Sequence, residues 1–154
     1  MKKTVIILCV LALIIGGCNN KEICIKPINN ANYQIDNIEH QYYTIANCEH
    51  ITQDTLYRLL NTYLNSIYPY EKIIEKSLFS AHFYKKSLFT NYEKRFHNAR
   101  YETTFDMCEF YDNLVAEIRY LGKDNNDYAV FHTILYNQST CEPSIALWKK
   151  DTIK

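Results

Sequence analysis

Leu114-Val115-Ala116-Glu117-Ile118-Arg119-Tyr120-Leu121 and Tyr128-Ala129-Val130-Phe131-His132-Thr133-Ile134-Leu135-Tyr136 flank Gly122-Lys123-Asp124-Asn125-Asn126-Asp127. Both runs are rich in strand formers and the six residues between them are turn formers, so the stretch reads as a β-hairpin. Pairing Leu121 with Tyr128 and Ile118 with Phe131 puts Leu114, Ala116, Ile118 and Tyr120 on one face with Ala129, Phe131, Thr133 and Leu135. That face is almost wholly apolar, as a core-facing sheet surface must be. Its reverse sets Glu117 directly opposite His132, with Arg119, Tyr128 and Tyr136 nearby. A helical stripe through Met107, Phe110, Tyr111, Leu114, Val115, Ile118 and Leu121, capped by Gly122, competes with this reading. The strand is preferred because the second run needs an antiparallel neighbour. The same pairing, continued outward, brings Cys108 opposite Cys141. Opposed Cα atoms then stand about 4.5–5.5 Å apart, within disulfide reach.

After Pro143, residues 144–150, with Ile145, Leu147 and Trp148, suit a last strand. Upstream, Leu56, Leu59, Leu60, Tyr63, Leu64 and Ile67 form one apolar stripe at helical spacing, predicting a helix over 52–68. Thr52 serves as its N-cap, Asp54 sits against the positive helix end, and Ile51 with Leu56 makes a hydrophobic staple. Pro69 ends it. A second helix is expected over 70–84, with Tyr70, Ile73, Ile74, Leu78 and Ala81 on one side. The alternation of Phe79, Ala81 and Phe83 is the competing strand signal. Residues 85–109 contain no Gly or Pro and show no clean period.

At the other end, Lys2 and Lys3 precede the apolar run from Val5 to Ile15, and Ile15-Gly16-Gly17-Cys18 follows. A basic start, a short apolar middle and small residues before a cut make a secretory signal peptide. The apolar stretch is shorter than the roughly 17–25 residues that span a bilayer, which argues against an uncleaved anchor. With a cysteine directly after the glycines, the stretch resembles a bacterial lipoprotein signal. That resemblance implies removal of residues 1–17 and lipidation of Cys18 with diacylglycerol and an acyl chain such as palmitate. Two or more chains hold a protein firmly to a membrane. Asn19, where an aspartate would favour inner-membrane retention, implies the outer membrane. Residues 18–40, Asn-rich and carrying Pro27, read as a tether, and 41–154 as one domain.

The chain has six cysteines. Setting aside Cys9 in the leader and Cys18 leaves Cys24, Cys48, Cys108 and Cys141, an even set that suits disulfides in an oxidising compartment. With Cys108 joined to Cys141, Cys24 pairs with Cys48 by elimination. No Cys-x-x-Cys or Cys/His spacing points to zinc, and no metal or cofactor is expected. The formal charge is zero over 154 residues, with 17 basic and 17 acidic side chains. No basic cluster suggests nucleic acid.

The expected fold is α+β: one or two N-terminal helices packed on a curved antiparallel meander, stapled by disulfides. The Leu56–Ile67 stripe, the following helix, the Leu114–Tyr136 hairpin and Ile145–Trp148 resemble, in order, the cone fold of the nuclear-transport-factor-two-like superfamily. A cystatin-like single helix on a sheet resembles them nearly as well. Bacterial members of that superfamily include small exported lipoproteins.

No phosphate loop, nucleophile elbow or His-Glu-x-x-His helix occurs. Glu117 with His132 is the best acid/base pair, although opposed charges across strands are commonly surface stabilisers. His40, Glu49 and His50 suit no ligand spacing, and His82 and His97 suggest no role. The expectation is therefore a lipid-anchored, non-catalytic envelope protein that binds a protein partner; a toxin-neutralising immunity protein is one version. A small-ligand carrier with a pocket between helices and sheet, walled by Glu117 or His132, is the alternative. A small hydrolase or isomerase using Glu117 and His132 is another.

Overall fold

The computed structural model describes residues 22–29, 33–35, 38–76, 78–86, 113–137 and 144–153. They form an α+β fold with the order β1 (Cys24–Pro27), β2 (Tyr33–Ile35), β3 (Ile38–Ala46), α1 (Gln53–Ile67), α2 (Tyr70–Ile74), β4 (Leu78–Lys85), β5 (Leu114–Lys123), β6 (Ala129–Asn137) and β7 (Ser144–Ile153). One sheet runs β1-β3-β4-β5-β6-β7, and β2 also pairs with β3. All pairs are antiparallel except β3 with β4, which is parallel. A parallel pair needs a long crossover, which the two helices supply.

α1 matches its sequence signals. Thr52 Oγ1 accepts the Thr55 amide at 3.3 Å, and Leu56, Leu60 and Leu64 are buried. Ile67, the last residue of the predicted stripe, is exposed. α2 is much shorter than expected. It ends at Ile74, and 78–85 is a strand rather than the second half of a helix. The physical reason is burial on both sides. Phe79, Ala81 and Phe83 face the helices while Ser80 and Tyr84 are buried on the reverse, which only a period of two allows.

Three strands precede the helices, so the helices are not N-terminal to the sheet. The stretch expected as a tether supplies β1 and β2, both paired with the same edge of β3. Cys24 and Cys48 are free thiols, the first exposed and the second buried. The expected Cys24–Cys48 bridge is therefore not made.

The hairpin forms with its predicted apolar face buried, but in a register slipped by two residues. Ile118 pairs with Thr133 and Tyr120 with Phe131. An even slip preserves which face each side chain occupies. Its cause lies in the turn. Asp124 Oδ1 accepts the amides of Asn126 and Tyr128 at 2.9 and 3.0 Å, so β5 continues through Gly122 to Lys123. A register shift between Tyr120 and Lys123 brackets Gly122, whose φ is +96°, a conformation glycine adopts without strain. The register that set Cys108 opposite Cys141 is not the one adopted, and both cysteines lie outside the described residues.

The core sits between α1, α2 and one sheet face, where Leu60, Leu64, Ile73, Phe79, Phe83 and Phe131 are essentially inaccessible. A polar seam crosses it. Tyr70 donates to Asn61 Oδ1 at 2.7 Å, Asn61 Nδ2 donates to the buried Thr133 hydroxyl at 3.2 Å, and Tyr57 donates to Asp151 at 2.7 Å. These bonds satisfy Thr133 and fix the helices against β6 and β7.

Candidate functional site

The sheet face away from the helices is built from two adjacent rows of side chains that cross five strands. Following the Cα pairings from β3 to β7, one row is Tyr42, His82, Glu117, Ile134 and Trp148. The next is His40, Ser80, Arg119, His132 and Lys150. Alternation along each strand delivers these residues to one face because their neighbours fill the core.

Glu117 is the hub. It is 5% exposed. Its Oε1 accepts from His82 Nδ1 at 2.9 Å, and its Oε2 accepts from Tyr136 at 2.7 Å and pairs with Arg119. His82 Nε2 lies 3.1 Å from Ser80 Oγ and 3.2 Å from His40 Nδ1. With Nδ1 facing Glu117, the His82 ring turns Nε2 toward both. Tyr42 stacks on His82 at 4.8 Å with rings 10° apart. Burial pushes the Glu117 carboxyl up, but His82, Arg119 and Tyr136 together pull harder and hold it at about 2. Burial and then His82 push the His40 imidazole down from its usual range.

The expected Glu117–His132 opposition is not formed. The two-residue slip puts Ile134 opposite Glu117 and Arg119 opposite His132. His132 instead meets Trp148 edge-on at 4.9 Å. Of the other residues expected there, Arg119 and Tyr136 do join Glu117, whereas Tyr128 closes the hairpin turn. His82, read as without a role, is the carboxylate's main partner. Its signal was available in the alternation of 79–84, which puts His82 on the face opposite Phe83.

Glu117, His82 and Ser80 are hydrogen-bonded in the order of a nucleophile relay. Two features set the arrangement apart from one. Ser80 is 5% exposed, and its strand is laddered on both sides by β3 and β5, which engages backbone amides that an oxyanion would need. Among the described residues no group of three or more His, Cys, Asp or Glu is placed to hold a metal ion. No described helix is long and apolar enough to cross a membrane. An open groove of about 700 Å³ lies between α1 and β1, against Ile23, Ile25, Leu59 and Tyr63. A depression of about 390 Å³ lies against Ile74, Ala129 and Ile153. Neither is walled by Glu117 or His132.

No family model, curated protein or solved structure matches the chain.

The ion network has a pH signature. The Glu117 carboxyl lies at about 2 in the fold against an ordinary 4.5, so the unfolded chain binds more protons between these values. Its stabilisation is fully present above pH 4.5 and lost as pH falls toward 2, on the order of 3 kcal/mol in all. His40, pushed below its ordinary 6.5, adds an earlier loss that begins as pH falls through 6.5. Urea melts across pH 7 to 3 should show stability falling monotonically, and Glu117→Gln should flatten the lower part. A profile flat to pH 3 in the parent chain contradicts the network.

Proposed function

We propose that this chain is a lipid-anchored, non-catalytic envelope protein that captures an extended segment of a protein partner along the outer edge of β7. The supporting observation is that edge itself. β7 is ten residues long and ends the sheet, with no partner on its outer side among the described residues. Ile145 and Trp148 beside it are 58% and 51% exposed. Exposed edges of this length invite strand addition, and proteins usually blunt them. A half-exposed tryptophan is the kind of anchor that dominates binding energy at interfaces.

Anchor and edge stand well apart. Cys18 precedes β1 by six positions, and β1 lies at the far side of the sheet from β7. Five interstrand steps separate them by roughly 24 Å. Lipid on Cys18 would hold the protein at the membrane while β7 stays open to a partner, and an immunity-type role belongs to this class. The curved cone of the superfamily named above is the finer fold reading that accompanies it.

The test is affinity capture from detergent-solubilised envelopes of the source cell. The parent chain should recover a discrete partner, and Ile145→Ser with Trp148→Ala should lose it at least tenfold while remaining folded. Recovery of no specific protein, or equal recovery by the double variant, contradicts the proposal.

A further inference from the structure

The row that ends beside Trp148 carries Arg119, His132 and Lys150 across β5, β6 and β7. It contains no carboxylate. The acid in the adjoining row, Glu117, is already engaged by His82, Arg119 and Tyr136. Lys149 turns to the helix side, where it meets Asp54 at 2.6 Å and lies over the Tyr57 ring. Among the described residues, Lys150 is thus the cation left exposed at the open edge, two residues from Trp148 on the same face.

A strand added to β7 prolongs both rows by one residue each. Residues of one strand that share a face are two apart, and each stands about 4.5–5.5 Å from its opposite number at Cβ. Resting on the edge-capture reading above, we infer that the partner segment carries an acidic side chain two residues from an apolar one, the acid facing Lys150 and the apolar residue covering Trp148. The surrounding field agrees. Burial, then Lys150 and Arg119, push the His132 imidazole down, as a locally positive surface should. A second copy of β7 fits less well, because its one acid, Asp151, is bonded to Tyr57 and it would add two more lysines.

The experiment is selection from a displayed library of random peptides on the purified full chain in detergent, with Trp148→Ala as counter-target. The expected winners place Asp or Glu two positions from an apolar residue. Lys150→Glu should weaken their binding about fivefold, and replacing their acid by Lys should restore it. Winners that need Trp148 but show no acidic preference, or ignore Lys150→Glu, overturn this inference and leave edge capture standing. Selection that yields no Trp148-dependent peptide overturns both.

Discussion

Glu117→Ala should destabilise the fold by about 3 kcal/mol, read as a lowered urea midpoint at pH 7. Removing one member of a buried ionic group leaves the others desolvated without a counter-charge, and such losses run to about 3–5 kcal/mol. Here His82 Nδ1, Tyr136 OH and Arg119 all lose their acceptor together. Arg119 softens the effect because its side chain is 45% exposed and can be resolvated. Glu117→Gln keeps shape and an acceptor oxygen, so it should cost roughly half as much. If both substitutions cost under about 1 kcal/mol, the carboxylate is solvated and is no hub.

Phe131→Ala should be more damaging still, at about 3–5 kcal/mol. The ring is 1% exposed and packs 4.7 Å from Tyr70 and 5.1 Å from Tyr120. It therefore joins α2, β5 and β6 at one point. Its neighbours are rings held by their own contacts, and Tyr70 is also tied to Asn61, so the cavity cannot close by simple collapse. A small domain has about 5–15 kcal/mol in total, and a drop of this size should lower Tm by on the order of 10 °C. Trp148→Ala, half exposed, should cost less than about 1 kcal/mol. Thermal melts of the two variants side by side check the contrast, and equal shifts contradict the placement of the core.

The elements readable from the residues are those with a strong apolar period. α1 shows its stripe, its cap and its terminating proline, and these are found in place except at Ile67, which is exposed. The hairpin faces are legible for the same reason, since the alternation survives an even slip. Its register is not legible, because it depends on one hydrogen-bonding side chain, Asp124, that moves the turn by two residues. β3 is hidden by chemistry: its own residues include His40, Gln41, Tyr42 and Thr44, which carry little hydropathy signal. β1 and β2 are short, and β1 ends in Pro27, so they mimic a linker. The site is half legible. Glu117, Arg119 and Tyr136 follow from the hairpin alone, but His82 and His40 come from strands 35 or more residues upstream. The antiparallel pairing of β4 with β5 sets His82 beside the carboxylate and the parallel pairing of β3 with β4 adds His40, both long-range choices no local pattern specifies.

The decisive measurement is site-specific photo-crosslinking in intact source cells, with the reactive side chain placed in turn at Ile145, at Trp148 and, on the far side of the molecule, at Thr62 of α1. Edge capture predicts one discrete heavier species from positions 145 and 148 and none from position 62. Absence of any adduct at β7, or an equal ladder from all three positions, contradicts it.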